Sequence, residues 1–408
     1  MTSQHLTKQV ETYLNCLCVE ILSRRVGSQG NQAATSFFAQ TLESFGFQTE
    51  RPDFECIDWT QGWAHLTVDG ERFEVLVSPY SLGCQVSAPL AVVSTIEELE
   101  SVDATGKTLL LRGKIASEQL MPKNFPFYNP EEHQRIIHLL EARAPLAIIA
   151  ATSRNPELAG AVYPFPLIED GDFDIPSVYM TEEEGTRLAE LADQVVTLDS
   201  QSQRIQSRSC NVIGRIGSAS ERRVVLCAHI DAKYGTPGAL DNASGIVVLL
   251  LLAELLQDYH GRVEIEILAI NGEDYYSSPG EVHYLQSNQG RLNQVLLDIN
   301  LDGVGFAPAK TVYSLYDCPT DLAGVIRKTF STYPDMLEGE HWYQGDHMIF
   351  VVNQVPALAV TSDQLSEILT HIAHTPKDTP ELLDPSQLVN LALALKELLL
   401  NLNDLLPQ

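Results

Sequence analysis

The chain has 408 residues, more than a single hydrophobic core normally supports, so two domains are expected. Apolar residues make up 44% of the sequence and charged residues 20%, which is the composition of a globular protein. The 54 acidic residues outnumber the 26 lysines and arginines and give a net charge of -28. Such a polyanion is repelled by nucleic acid and by anionic membrane surfaces, so neither is an expected partner.

The cysteines and the apolar segments indicate where the protein works. None of the seven cysteines forms a CxxC pair, so neither a disulfide framework nor a thiolate metal site is expected. We therefore predict a reducing, cytoplasmic location. The first residues, MTSQHLTKQVETYLNCLC, have no basic region followed by an apolar one, so no signal peptide is expected. The longest apolar run, IVVLLLLAELL, is too short to span a membrane. The sequence gives no indication of an oligomeric state.

The predicted elements divide the chain into three parts. Residues 5 to 47 are predicted to form two amphipathic helices separated by RVGSQGN. Short strands dominate the region from 58 to 203, with helices predicted near 129–143 and 181–192. From 204 onward, apolar strands such as VVLCAHI and VEIEILAI alternate with helices, and the chain closes with the helix LVNLALALKELLLNL.

This alternation predicts an α/β fold. Strands with continuous apolar content are typical of a mostly parallel, mixed sheet that is covered by helices on both faces. The middle region differs from the rest in its many short strands. We therefore expect one α/β domain, made of residues 1–57 and 204–408, interrupted by a β-rich inserted domain at 58–203.

Histidines and acids follow several predicted strands in the second half of the chain. In an open α/β sheet, ligands bind at the carboxyl ends of the strands, and these residues are expected there. They are His229 and Asp231 in VVLCAHID, Asp241 in GALDNASG, Glu273 and Asp274 in NGED, Asp302 in DINLDGVG, and His374 in AHTPKDT.

These residue types suit a divalent metal ion. Imidazoles and carboxylates without thiolates favour zinc or a similar cation over iron–sulfur clusters or copper(I). A catalytic zinc takes about three protein ligands, and five ligands serve two metals if one carboxylate bridges them. Metal ions would also supply the positive charge that the adjacent acids Glu273 and Asp274 need.

Each of these residues also has a structural interpretation. Asp241 could cap the helix that follows it, since Asp favours that position, and Asp302 could belong to a turn. His229 could be an ordinary strand residue, and Asp274 and His374 ordinary loop residues. Taken singly, each residue favours the structural interpretation. The order of all five along the chain, with a second acid beside Asp274, resembles that of a known family and reverses this preference.

The order of the motifs resembles that of the di-zinc aminopeptidase family. HxD is followed by GxxDNxSG, an acid pair after a strand, NxDxxG, and a late HTPxDT, between residues 224 and 384. This family includes glutamate carboxypeptidase II, the transferrin receptor and the glutaminyl cyclases. The segment RVGSQGN…FFAQTLESFGF resembles its opening helices, and the insertion resembles the protease-associated domain of some members. The resemblance implies an α/β fold of the zinc exopeptidase type.

The resemblance also implies a role for each matched residue. Asp241 would bridge two divalent metal ions, most simply Zn²⁺. His229 and Asp302 would complete one metal site, and Asp274 and His374 the other. Glu273 would be the general base that takes a proton from the attacking water and passes it to the leaving amine.

Further features of the family have counterparts in this chain. Asp231 would hydrogen-bond to the second ring nitrogen of His229 and fix its tautomer. Tyr343 resembles a tyrosine that stabilises the tetrahedral intermediate in some members, and the Asp241–Asn242 peptide is cis in relatives. The chain departs from the family at Asp274, where a glutamate is usual. This shorter acid could alter the spacing or the affinity of the metals.

The expected activity is that of a metal-dependent exopeptidase, most simply an aminopeptidase that acts on peptides or amino-acid derivatives. A carboxypeptidase would need a basic residue beside the metals to bind the substrate carboxylate. The second half of the chain offers few candidates, of which Lys233, Arg291 and Lys377 are nearest in sequence to the motifs. Recognition of an amino terminus is therefore favoured. One alternative is an aminoacyl transferase of the glutaminyl cyclase type, which uses one zinc ion. Another is a non-catalytic binding protein like the transferrin receptor, although such relatives lose ligands that this chain keeps.

Overall fold

The computed structural model describes residues 2–158, 160–218 and 222–403. The chain splits into two compact units. The larger unit comprises Met1–Cys56 and Arg208–Gln408, and the smaller unit comprises Ile57–Ser207. The sequence placed the corresponding boundaries after residues 57 and 203.

The chain begins with two helices of the larger unit. In the first, Thr2 accepts a hydrogen bond from the His5 amide, and in the second, Ser28 accepts one from the Asn31 amide, so both start with a side-chain cap. A one-turn π-helix, Cys16–Glu20, continues the first helix. The elements are α1 (Ser3–Asn15), α2 (Gln29–Ser44) and β1 (Gln48–Glu50).

The smaller unit is built around a sheet of strand order β3-β2-β9-β5-β6-β7-β8-β4. Helix α3, which has six residues, was missed in the sequence because it is too short to show a helical period. The elements that form this region are β2 (Asp53–Val68), β3 (Glu71–Phe73), β4 (Leu76–Val77), β5 (Cys84–Val93), α3 (Ile96–Ser101), β6 (Thr108–Leu111), α4 (Glu131–Arg143), β7 (Ala147–Thr152), β8 (Ser177–Thr181), α5 (Glu182–Ala189) and β9 (Val195–Cys210).

The remaining elements complete the larger unit and alternate between strand and helix. They are β10 (Val212–Ile216), β11 (Arg223–His229), α6 (Ser244–Leu255), β12 (Glu264–Ile270), α7 (Pro279–Ser287), β13 (Val295–Leu301), β14 (Thr311–Tyr316), α8 (Thr320–Phe330), β15 (Met336–Glu338), α9 (Met348–Val351), β16 (Ala357–Ser362), α10 (Leu365–His371) and α11 (Pro385–Leu402).

The sheet of the larger unit has the strand order β1-β10-β12-β11-β13-β16-β14-β15. Its central strands β12, β11, β13 and β16 run parallel, whereas β10 pairs antiparallel with β12, and β14 with β16. Helices cover both faces. Along β11, Val224 and Leu226 belong to one apolar cluster and Val225 and Cys227 to another, which explains why the strand is apolar throughout. The mixed α/β fold that the sequence predicted is confirmed.

In the part of the chain that the structure describes, no helix combines the length and the apolar character that crossing a membrane requires.

Candidate metal centre

Strand register brings the predicted site residues to one edge of the sheet. His229 is the last residue of β11 and pairs with Ile270 at the end of β12, where the NGED segment leaves the sheet. On the other side, Cys227 pairs with Asn300 of β13, so His229 and Asp302 lie at the same level two residues further on. The carboxyl ends of three neighbouring parallel strands thus meet at this edge.

Asp241 reaches the same place from the turn before α6. The Asp241–Asn242 peptide bond is cis. The Asn242 side chain fixes the turn, because its Nδ2 donates to the Leu301 carbonyl at 2.7 Å and its Oδ1 accepts from the Gly245 amide at 3.0 Å. The turn is thereby tied both to the end of β13 and to the first turn of α6.

The two carboxylate oxygens of Asp241 face different imidazoles. Oδ1 lies 3.1 Å from His229 Nε2, and Oδ2 lies 3.0 Å from His374 Nε2. His229 Nε2 is also 3.8 Å from Asp302 Oδ1, and His374 Nε2 is 2.8 Å from Asp274 Oδ1. The five predicted ligands therefore form two groups of three, which share Asp241.

The donor set fits divalent metal ions. Ligand atoms about 2.1 Å from a tetrahedral zinc are separated by about 3.4 Å, a spacing that these N···O distances bracket. Both ring nitrogens of His229 and Oδ2 of Asp274 are buried and have no hydrogen-bond partner among the described residues. Buried polar atoms are normally satisfied, and a cation bound between these groups would satisfy them.

Burial and mutual repulsion shift the pKa values of the acids in this cluster. Burial raises the pKa of Glu273 well above its usual value, and Asp274 and Asp302 raise it further. Burial also raises the pKa of Asp302. For Asp241, burial acts in the same direction, but the imidazoles of His374 and His229 outweigh it and lower the pKa.

The two imidazoles shift in the opposite sense to that expected from burial alone. Burial lowers the pKa values of His229 and His374, but the neighbouring carboxylates outweigh this effect and raise both well above 6.5. Without metal, the cluster therefore compensates its negative charge with protons. Metal binding has to displace these protons, so it depends on pH.

Asp231 does not form the hydrogen bond expected from the sequence. Its Oδ1 lies 3.9 Å from His229 Nδ1, beyond hydrogen-bonding distance. Instead, its two oxygens accept the main-chain amides of Gly272 at 2.6 Å and Asp274 at 3.1 Å. These fixed amides at the end of β12 engage both oxygens of the carboxylate. Asp231 therefore holds the loop of Glu273 and Asp274, and its predicted role in orienting His229 stays a prediction.

Tyr343 lies in the loop between β15 and α9. Its side chain is 68% exposed, and its ring meets those of Tyr316 and His341 edge-on, each at a centroid distance of 6.4 Å. Among the described residues, no hydrogen bond joins Tyr343 to the cluster, and its contacts are with these two rings. Its role in catalysis therefore stays a prediction.

Asp378 is a site residue for which no role was predicted. Its carboxylate accepts the amides of Leu240 at 2.6 Å and Asp241 at 3.1 Å, and its carbonyl accepts the Ala239 amide at 3.2 Å. It thereby joins the loop of His374 to the turn of Asp241. Burial raises the pKa of Asp378 to about 7, and the Asp241 charge adds to the effect. The available signal was its position inside the motif HTPKDT.

Comparisons with known proteins agree with this site. Residues 211–399 match the sequence model of Peptidase family M28. A probable lipoprotein aminopeptidase of Mycobacterium tuberculosis is 25% identical over 334 residues, which cover 77% of this chain and 63% of that protein. The chain thus spans less than two thirds of the length of this relative.

Solved structures share the fold over nearly the whole chain. The zinc aminopeptidase of Bacillus subtilis aligns with a TM-score of 0.75 at 19% identity, covering 97% of this chain and 95% of that one. An aminopeptidase of Aneurinibacillus sp. strain AM-1 aligns with a TM-score of 0.71 at 20% identity, covering 98% and 95%. At these identities the alignments establish the fold.

The chain has the fold of solved zinc aminopeptidases, and residues 211–399 resemble Peptidase family M28, a resemblance that the sequence predicted. This match covers just under half of the chain. The protease-associated character of the insertion stays a prediction.

Proposed function

We propose that this chain removes the amino-terminal residue from peptides or amino-acid derivatives by hydrolysis with two divalent metal ions, most simply Zn²⁺. The observation that carries the proposal is the position of Asp241, whose two oxygens lie 3.1 Å and 3.0 Å from the imidazoles of His229 and His374. A carboxylate held between two imidazoles in this way is arranged to bridge two cations.

The five residues would hold the metals as two sets. His229 and Asp302 would bind one ion and Asp274 and His374 the other, with Asp241 shared. Bound divalent ions would polarise the scissile carbonyl and lower the pKa of a water molecule. The aspartate at position 274 reaches to within 2.8 Å of His374, which supports its use as a ligand despite the missing methylene.

Glu273 is proposed as the general base. It directly precedes the ligand Asp274, and its side chain is half-buried, so it borders the cluster without being enclosed by it. Its raised pKa suits a group that must accept a proton from water and then release it to the leaving amine. The Asp231 carboxylate would keep Glu273 in place through the amides of Gly272 and Asp274.

Arg291 and Lys377, two of the three basic residues nearest in sequence to the motifs, support recognition of an amino rather than a carboxyl terminus. Arg291 is exposed and donates to the Ser287 carbonyl at 2.6 Å, and the Lys377 side chain is exposed. Neither position favours capture of a substrate carboxylate beside the metals. The strongly acidic chain instead favours a positively charged amino terminus.

Hydrolysis of a panel of aminoacyl-nitroanilides tests the proposal. The protein would be assayed as purified, after removal of metal by a chelator, and after reconstitution with zinc, cobalt or manganese. Matched N-acetylated substrates serve as the control. We expect release of nitroaniline from the free aminoacyl substrates, loss of release after chelation, and no release from the blocked ones.

Two results would contradict the proposal. Protein that binds two metals per chain but releases no free aminoacyl group would exclude an aminopeptidase. Release of ammonia from amino-terminal glutamine by protein with one metal per chain would indicate the glutaminyl cyclase reaction instead. The complete second ligand set, Asp274 and His374, favours the two-metal enzyme.

A reducing, cytoplasmic location is part of the proposal. All seven cysteines are free thiols in the structure, and Cys18, Cys56, Cys210 and Cys227 are buried. Free buried thiols are compatible with a reducing compartment. Fractionation of cells that express the full-length protein would test this location.

A further inference from the structure

Arg24 lies outside the segment that matches the family and contacts the main chain on both sides of the metal-bearing loop. Its side chain is buried, with 3% exposed, and its three nitrogens donate to main-chain carbonyls. Nε donates to Ile230 at 3.0 Å, and one terminal nitrogen donates to Pro237 and to Leu17, both at 2.8 Å. The other terminal nitrogen donates to Gly238 at 2.7 Å.

These acceptors bracket the loop that connects two of the proposed ligands. Ile230 directly follows His229, and Gly238 precedes Asp241 by three residues. One rigid guanidinium therefore fixes both ends of the loop, and with them the approach of His229 to Asp241. A guanidinium has five donors in a planar fork, whereas a lysine ammonium is a compact charge that cannot hold several carbonyls at set angles.

The packing around this contact is tight. Gly238 has a φ of 63°, and a Cβ at this position would lie 2.6 Å from the Arg24 guanidinium and 2.7 Å from the Asp241 carbonyl. On its other side, the segment from Leu240 to Asp241 is held by the Asp378 carboxylate.

Arg24 is itself held in position by the beginning of α2. The side-chain amide of Asn31 donates both to the Arg24 carbonyl and to Oδ1 of Asn271, each at 2.9 Å. Asn271 stands two residues before Glu273. The segment from Arg24 to Asn31 therefore contacts all the chain segments that lead to His229, Asp241 and Glu273.

We propose that Arg24 is a positioning residue of the metal centre, which sets the separation of His229 and Asp241 and thereby the affinity for the metal they share. The inference rests on the proposed function, because it assumes that these two residues bind metal. It extends the site to an amino-terminal segment about 200 residues away from the first ligand in sequence.

The test compares two buried arginines of the same unit. Arg24→Lys keeps the positive charge but removes the planar guanidinium near the carboxyl end of β11, where His229 lies. Arg223→Lys does the same at the amino end of that strand, where Arg223 donates to Asn288 at 2.7 Å. Both substitutions should lower the melting temperature of the metal-free protein. Only Arg24→Lys should weaken metal binding, by roughly 10–100-fold, as loss of a residue that orients ligands does.

Metal binding would be followed by titration of the full-length protein with cobalt(II), using the visible absorption spectrum, which reports ligand geometry. We expect Arg24→Lys to change the spectrum and its midpoint, and Arg223→Lys to leave both as in the unchanged protein. If Arg24→Lys proved too unstable, Gly238→Ala would disturb the same contact from the loop side and should alter the spectrum in the same direction.

Two outcomes would overturn the inference. One is cobalt binding by Arg24→Lys or Gly238→Ala with unchanged affinity and spectrum. The other is an equal loss of binding in Arg223→Lys, which would show that general destabilisation is responsible. The proposed function fails in a different way, namely if the unchanged protein binds cobalt with the expected spectrum but hydrolyses no aminoacyl substrate.

Discussion

The sheet of the larger unit buries carboxylates near both of its ends, and the groups that face them differ. Toward the amino end of β12, Glu266 is fully buried. Its carboxylate accepts hydrogen bonds from Arg215 Nε at 2.8 Å and from the Tyr284 hydroxyl at 2.6 Å, and Arg223 Nε lies 3.5 Å away. At the carboxyl end, Asp241 is held between two imidazoles.

The difference shows which end is built for stability and which for binding. Glu266 has its counter-charges from the protein itself, and burial together with Glu266 keeps the pKa of Tyr284 high, so that its hydroxyl stays a donor. The acids at the carboxyl end share partners that must themselves be protonated to be positive. The negative charge of Glu266 is balanced by arginines of the folded chain, whereas the negative charge of the acids around Asp241 would be balanced by bound cations.

The largest expected effect is on turnover. Glu273→Gln removes the proposed proton acceptor while keeping its size, so kcat for an aminoacyl-nitroanilide should fall by about 10²–10⁴-fold with the metal content unchanged. Glu281→Gln is the matched control, because burial raises the pKa of Glu281 to about 7 and this side chain is already partly neutral at neutral pH. Full activity of Glu273→Gln would sink the proposed mechanism.

The next largest effect is on the free energy of unfolding, which should differ between substitutions at the amino end and at the carboxyl end of the sheet. Glu266→Gln leaves Arg215 and Arg223 without their buried partner and should lower the free energy of unfolding by about 3–5 kcal/mol, measured with urea. Asp302→Asn, measured in the presence of a chelator, should cost far less or stabilise, because it removes a buried charge whose pKa is raised by burial. Equal destabilisation by both substitutions would contradict the distinction between the ends.

A smaller effect is expected at Asp378. Asp378→Asn keeps the shape but can accept only one of the two amides of Leu240 and Asp241, so the turn should loosen. We predict a metal affinity lower by roughly 10–100-fold in competition with a chelator, and a fold that is retained by circular dichroism. Unchanged affinity would mean that Asn242 alone fixes the turn.

The smallest effect is the pH dependence of stability in the metal-free protein. The pKa of Asp378 rises from 3.8 to about 7 on folding, and those of His229 and His374 rise above 6.5. Groups with raised pKa values stabilise the fold while they are protonated, and this stabilisation is lost as pH rises through the folded-state pKa. The lowered pKa of Asp241 stabilises the fold above its unfolded value of 3.8, and this contribution changes with pH only below that value.

Metal-free protein should therefore melt at a higher temperature at pH 5 than at pH 8. Saturating zinc should reverse the order, because the ligands bind metal only after losing their protons. The measurement is thermal unfolding at both pH values with and without chelator. A metal-free protein that becomes more stable as pH rises would contradict the assigned pKa shifts.

The sequence predicted which residues lie together at this edge of the sheet, because their positions follow from simple geometry. His229 and Asp302 end adjacent parallel strands, and Glu273 and Asp274 follow the strand beside them, so the fold class alone brings them together. The order of the motifs then added Asp241 and His374, which lie in loops, so that the residue pattern of the strands does not predict their positions.

The sequence could not reveal the contacts that use the main chain. Arg24 binds carbonyl oxygens, which every residue has, so its partners leave no signature in the side chains. The absence of the expected hydrogen bond from Asp231 to His229 has the same origin, since the Asp231 carboxylate accepts the main-chain amides of Gly272 and Asp274. The short strands β1, β10 and β15 were also missed, because three to five residues carry little periodicity.

The most direct measurement is the metal content of the purified protein and of Asp241→Asn by mass spectrometry after reconstitution with zinc. We expect about two metal ions per chain in the unchanged protein. Because both sites share this carboxylate, Asp241→Asn should lose both ions together, in parallel with nitroanilide hydrolysis. Retention of two ions by Asp241→Asn would contradict the shared ligand, and absence of bound metal from the unchanged protein would contradict the metal centre itself.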